Sequence, residues 1–128
     1  LSLHQLVYFV KHDEAAARSV LSLSRHPTIG FPFAVAGITF TSLTKALLQS
    51  GHLHAHFCNT LDEGVVPTIE DVHHAYGRIF SLFADYFKRA QPPSVMYFNE
   101  VRMKFERSLS SLLLRSSAEL DVMTVNDL

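Results

Sequence analysis

The stretch "GHLHAHFC" at positions 51–58 puts His52, His54, His56 and Cys58, all able to ligate zinc, at alternate positions. A zinc ion needs three or four such ligands converging to about 2.0–2.3 Å from one point. On a strand, alternate residues face one side and the set would converge. On a helix it divides, with His52 and His56 on one face and His54 and Cys58 on roughly the opposite one. His73 and His74 are candidates to complete a half-site, but adjacent helical residues point about 100° apart. The chain contains neither His-Glu-x-x-His nor paired Cys-x-x-Cys. The surrounding segments read as helical, so the histidines are expected to be solvated or partly buried and no metal is expected.

Nucleophilic chemistry is the other possibility in this stretch. Cys58 beside histidines has the residue types of a nucleophile–base pair. Beside Phe57, however, a free cysteine reads better as a small packed residue. There is no Gly-x-Ser-x-Gly elbow and no phosphate-cradling Gly-x-x-x-x-Gly-Lys-Ser/Thr loop. Tyr76, Phe80, Phe83, Tyr86 and Phe87 read as core rather than a cofactor box, with Phe80 beside the main stripe and widening it. The expectation is a chain with no self-contained active site and no cofactor of its own.

The elements that position these residues follow from periodicity. Leu3, Leu6, Val7 and Val10 step at i, i+3, i+4, i+7 and predict an opening helix with that apolar face. No capping residue precedes Leu1, which suggests that the natural chain continues upstream. A second helix follows in "HDEAAARSVLSL", with Asp13 and Glu14 in its first turn, where negative charge meets the positive end of the dipole. Pro27, Gly30 and Pro32 then mark a loop. Phe33, Ala36, Phe40, Leu43 and Leu47 predict a long helix ended by Gly51, diluted in propensity by its threonines and valines. Residues 52–59 suit a short helix or an irregular link. Thr68 and Asp71 resemble a capping box for an aromatic helix built on Val72, Tyr76, Ile79, Phe83 and Tyr86 or Phe87. Ser94 is a candidate N-cap for a last helix with Phe98, Val101, Phe105, Leu109 and Leu112 inward and a Glu100–Lys104 pair outward. No alternating strand pattern appears. The fold class expected is all-α, a single compact bundle of five or six helices spanning residues 1–115, with residues 116–128 a loosely held acidic tail.

Composition narrows the function. At 128 residues, 48% apolar, 18% charged and net charge −1, the chain has material for one core and no basic excess to attract nucleic acid. One cysteine cannot form an internal disulfide, so a reducing, cytoplasmic setting is the expectation. No apolar run approaches the roughly 20 residues needed to cross a bilayer, no signal-peptide pattern opens the chain and nothing supplies a lipid anchor. Any encounter with a membrane is expected to be indirect.

Four segments, in order, resemble the ELMO domain family: "LSLHQLVYFVKHD" (1–13), "GFPFAVAGITFTSLTKALL" (30–48), "VPTIEDVHHAYGRIFSLFADYF" (66–87) and "SVMYFNEVRMKFERSL" (94–109). Each alone is mostly apolar helix spacing. Their order and spacing make the likeness specific, closer to the small ELMOD-type proteins than to the large engulfment scaffolds. The resemblance implies an all-α domain and GTPase-activating activity toward Arf and Arf-like small GTPases. In that chemistry the GTPase supplies nucleotide, Mg²⁺ and water, while the activator supplies an arginine worth about 10³–10⁵ in rate. The family places this arginine in an Asp-Phe-Arg-Gly-type motif just before the Leu-x-x-Leu-x-Tyr-Phe helix. In this numbering it would precede Leu1, so no residue present takes the catalytic role. Arg25 does not match that motif and suits surface or salt-bridge duty. Thr39 stands where relatives often carry Asn. Arg25, His26, Thr39 and Asn99 are the partner-binding candidates. The alternative implied is a non-catalytic interaction or scaffold module, as in engulfment proteins that work with Dock-type Rac exchange factors, or part of a larger assembly. An Asp-Phe-Arg-Gly-like stretch upstream would favour activation.

Overall fold

The structure, a computed structural model, describes residues 2–25, 33–61, 66–90, 97–115, 120, 123–124 and 127–128. Six helices lie among them: α1 (Ser2–His12), α2 (Glu14–Ser24), α3 (Phe33–Ser50), α4 (His54–Thr60), α5 (Ile69–Ala90) and α6 (Phe98–Leu113). The all-α bundle expected from periodicity is the architecture found, with no strand among the described residues.

α5 is the axis of the bundle, packing against α1, α2, α3 and α6. Its start is the reciprocal cap anticipated at Thr68 and Asp71: Asp71 N donates to Thr68 Oγ1 at 3.3 Å, and Thr68 N donates to Asp71 Oδ2 at 2.7 Å. Tyr76, Ile79, Phe80, Phe83 and Phe87 are fully enclosed along it. Phe80 extends the stripe, meeting Phe9 of α1 and Phe40 of α3 at ring-centroid distances of 5.8 and 5.4 Å. Phe83 sits at the crossing of α3, α5 and α6, with Phe40, Phe105 and Phe98 at 4.6, 5.4 and 5.6 Å. Tilted and edge-on rings at such separations add directional attraction to the area they bury.

α3 keeps its helical form despite its threonines, because the hydroxyls return to the backbone one turn earlier. Thr39, Thr41 and Thr44 donate to the carbonyls of Val35, Gly37 and Phe40 at 2.8, 3.0 and 2.7 Å. Gly51 ends the helix at φ +83°, a left-handed conformation that costs glycine little. His52 N then donates to Leu47 O and Gly51 N to Leu48 O, which satisfies two carbonyls of the last turn.

Two expectations change. The apolar face of α1 is not the Leu3–Leu6–Val7–Val10 stripe: Val7 and Val10 are 42% and 50% exposed, whereas Gln5 and Phe9 are buried and Leu6 partly so; the side chain of Leu3 lies outside the described residues. The helix rolls to place Phe9 against Phe80, because an aromatic ring hides more apolar surface than two valines at the edge. Asp13 is the N-cap of α2 rather than part of its first turn, with Oδ1 accepting from Ala16 N at 3.4 Å. Past residue 115, Leu120 is 0% and Met123 8% exposed, while Thr124 and Asp127 are exposed. Ser94 lies outside the described residues, and α6 begins after Tyr97 without a side-chain cap. Its inward stripe of Phe98, Val101, Phe105, Leu109 and Leu112 is buried, and Lys104 and Glu100 pair at 3.5 Å on the exposed side.

Candidate functional site

The histidine cluster falls on the turn after Gly51 and on the short helix α4, and it divides by face. His52 Nδ1 meets Ser50 Oγ, while His54 Nε2 and Cys58 Sγ lie 3.5 Å apart on the exposed side. His56 turns inward at 2% exposure, and its Nδ1 accepts the backbone N–H of Leu120 at 2.9 Å. Among the described residues, no three His, Cys, Asp or Glu side chains gather in a way that could hold a metal ion. Cys58 is exposed, contrary to its expected role as a small packed residue: α4 turns Phe57 and His56 inward instead. His73 is buried on α5 and tilted against Tyr8 at 5.5 Å, while His74 next to it is exposed. Burial first, then the nearby Glu70 and Asp71 charges, raise the Tyr8 hydroxyl above its ordinary pKa. Tyr76, which donates to Gly37 O at 3.3 Å, is pushed further up by burial, partly offset by a hydrogen bond with Thr41.

The partner-binding candidates lie on separate helices. Arg25 is exposed at the C-cap of α2, where its backbone N–H bonds to Leu21 O and Ser22 O. Thr39 is partly buried on α3 with its hydroxyl committed to Val35 O. Asn99 is exposed in the first turn of α6. His26 lies outside the described residues. No hydrogen bond or ion pair joins Arg25, Thr39 and Asn99 to one another. Several other arginines are committed locally: Arg18 to Glu14, Arg102 to Glu106 at 2.7 Å, and Arg78 to the carbonyls of Leu120 and Met123, each at 3.4 Å.

A groove of about 760 Å³ between α2 and α5 was not anticipated; Arg18 and Ser19 line one side, with Arg78, Ser81, Asp85 and Lys88 on the other. The α5 members step by 3, 4 and 3, a polar stripe beside the aromatic one, and that spacing is the signal in the sequence. A polar stripe of this kind reads first as a solvated helix face.

With this geometry in place, comparison with known proteins gives a consistent answer. The ELMO/CED-12 family model matches residues 1–102. Mouse ELMO domain-containing protein 2 is 36% identical over 124 residues, covering 97% of this chain and 42% of that protein. Human ELMO domain-containing protein 2 is 35% identical over 94% of this chain and 40% of its own length. Bovine ELMO domain-containing protein 1 is 34% identical over 85% of this chain and 38% of its own. The chain thus spans about two fifths of the length of these relatives. No solved structure matches. No described helix is long and apolar enough to cross a membrane. On the match over residues 1–102, the chain belongs to the ELMO/CED-12 family.

Proposed function

We propose that the protein of which this chain forms the helical body acts on small GTPases of the Arf and Arf-like class and accelerates their GTP hydrolysis. The observation that carries this reading is the relatedness to ELMO domain-containing proteins 1 and 2 over most of the chain, since resemblance to the ELMOD type implies that activity. The arrangement of side chains agrees with a role exercised by contact. The aromatic stripe of α5 and the inward stripe of α6 are spent on internal packing, while Ile69 and Met103 on the same helices stay exposed. The GTPase then brings the nucleotide, Mg²⁺ and attacking water, and the activator adds a cation where charge grows on the transferred phosphoryl group. The resemblance implies that the arginine doing this precedes Leu1. Arg25, His26, Thr39 and Asn99 are the residues we assign to partner contact, and the cytoplasm is the compartment where such partners are met.

Single-turnover phosphate release from Arf-type GTPases tests the reading. The 128-residue chain is expected to leave the rate at background, and a chain extended upstream through the arginine to raise it by about 10³-fold or more. Strong stimulation by the short chain, or none by the long one, refutes it.

A second reading is favoured by the pairing of Arg102 with Glu106 on its own helix at 2.7 Å, which withholds that arginine from a partner's phosphates. In it the domain is a non-catalytic module that holds a Dock-type exchange factor or another assembly partner. Binding to such a factor with no effect on hydrolysis by the extended chain distinguishes the two.

A further inference from the structure

The α2–α5 groove has a chemistry of its own. Its volume of about 760 Å³ lies within the range of roughly 300–1,000 Å³ typical of ligand pockets. In its α5 wall the Ser81 hydroxyl is buried and has no hydrogen-bond partner among the described residues, an unfavourable state that an occupant would relieve. Asp85 and Lys88 stand three positions apart on the same wall, yet neither forms an ion pair with any described side chain. On the facing wall Arg18 is held only by Glu14 on the exposed surface, a weak pair that a ligand can replace. Arg78 is fixed in position by the carbonyls of Leu120 and Met123, but at 3.4 Å these bonds are long for a guanidinium, which reaches about 2.7–2.9 Å with a carboxylate.

We propose that this groove docks a carboxylate-bearing peptide segment of a protein partner. Three cations, Arg18, Arg78 and Lys88, against the lining carboxylate of Asp85 and the Glu14 carboxylate held by Arg18, leave an excess of positive charge that sets the sign of the occupant. The unpaired Asp85 and the buried Ser81 hydroxyl set its kind. Asp85 is exposed and can accept from the backbone N–H groups that an extended peptide brings together with its acidic side chains. A bare anion such as phosphate brings acceptors at neutral pH and meets repulsion from Asp85. The proposal is independent of the GTPase reading, because the property measured is binding and not hydrolysis.

Fluorescence anisotropy of a fluorescein-labelled hexaglutamate peptide, with hexalysine as the opposite-charge control and inorganic phosphate as competitor, tests it. The chain should bind hexaglutamate and not hexalysine, more weakly as salt rises. Lys88→Glu and Arg18→Glu should each weaken binding by about tenfold or more, whereas Lys104→Glu on the exposed side of α6 should not. Ser81→Ala should weaken binding while leaving Tm unchanged or higher, a combination that a purely structural hydroxyl does not produce. The proposal is overturned if hexaglutamate fails to bind, if Lys104→Glu weakens binding as much as Lys88→Glu, or if phosphate displaces the peptide at comparable concentration.

Discussion

Two faces of the same 22-residue helix, α5, can be set side by side. On one, Phe80, Phe83 and Phe87 are closed in by rings from α1, α3 and α6, and each is 0% exposed. On the other, Arg78, Ser81, Asp85 and Lys88 border the groove toward α2, where, among the described residues, Asp85 and Lys88 form no ion pair and the Ser81 hydroxyl lacks a partner. Both faces are periodic at helical spacing, so the helix itself does not distinguish them. The difference lies in what each face is matched to. The ring face finds its complement inside the chain, and the groove face does not. Changes on the first should therefore act on stability, and changes on the second on binding.

The sharpest test of the closed face is Phe83→Ala. It removes the ring shared by α3, α5 and α6 and should cost about 3–5 kcal/mol in urea unfolding. A loss below about 1 kcal/mol would mean that the face is loosely packed, and the contrast with the groove would disappear.

Two glycines, Gly77 on α5 and Gly37 on α3, probe the closed packing against α1 more finely. A Cβ on Gly77 would lie 3.1 Å from Phe9 Cδ1, in a ring fixed against Phe80; one on Gly37 would lie 3.3 Å from Leu6 Cδ1, at the end of a partly buried, flexible side chain. Alanine gains about 0.5–1 kcal/mol over glycine within a helix, and overpacking costs about 1–3 kcal/mol where the neighbour cannot yield. Gly77→Ala is expected to lower Tm, and Gly37→Ala to leave it unchanged or raise it. Equal shifts at both positions would show that Phe9 is as free to move as Leu6.

The smallest effect belongs to Tyr76→Phe. At neutral pH it loses the 3.3 Å hydrogen bond to Gly37 O, about 0.5–1.5 kcal/mol, together with the contact to Thr41. Burial raises the folded-state pKa of Tyr76 above the ordinary 10.0, so the folded protein resists deprotonation that the unfolded chain accepts. Its contribution is therefore complete below about pH 10 and is lost as pH climbs toward the folded value. The stability gap between the parent and Tyr76→Phe should narrow above that pH in denaturant titrations. A gap that stays constant would mean Tyr76 reaches solvent.

Much of this arrangement is readable from residue types. The aromatic spacing of α5, the Thr68–Asp71 cap, the Gly51 stop and the inward stripe of α6 are local signals, each contained within one or two turns, and they appear where expected. α1 misled because apolar residues occur around most of its circumference. Choosing between Val7–Val10 and Gln5–Phe9 needs knowledge of the ring on α5 that receives Phe9. The burial of Leu120 has no local signal, because it lies between Glu119 and Asp121 and the imidazole that receives its N–H comes from α4. Of the partner-contact candidates, Arg25 and Asn99 are exposed while Thr39 is committed to its own helix, a local bond that residue type alone leaves open. The groove is legible only in part. Its α5 stripe has a period, but a solvated surface has the same one, and α2 supplies the other wall from more than fifty positions away.

The bond from Leu120 N to His56 Nδ1 joins positions separated by 64 residues. At about 5–20 residues per second, a translating ribosome takes roughly 3–13 s to cover that interval. Throughout it, a nascent α4 carries an imidazole whose eventual donor has not been made. That corner of the bundle can close only once Leu120 has been made, so α4 reaches its final partner later than its own helix can form.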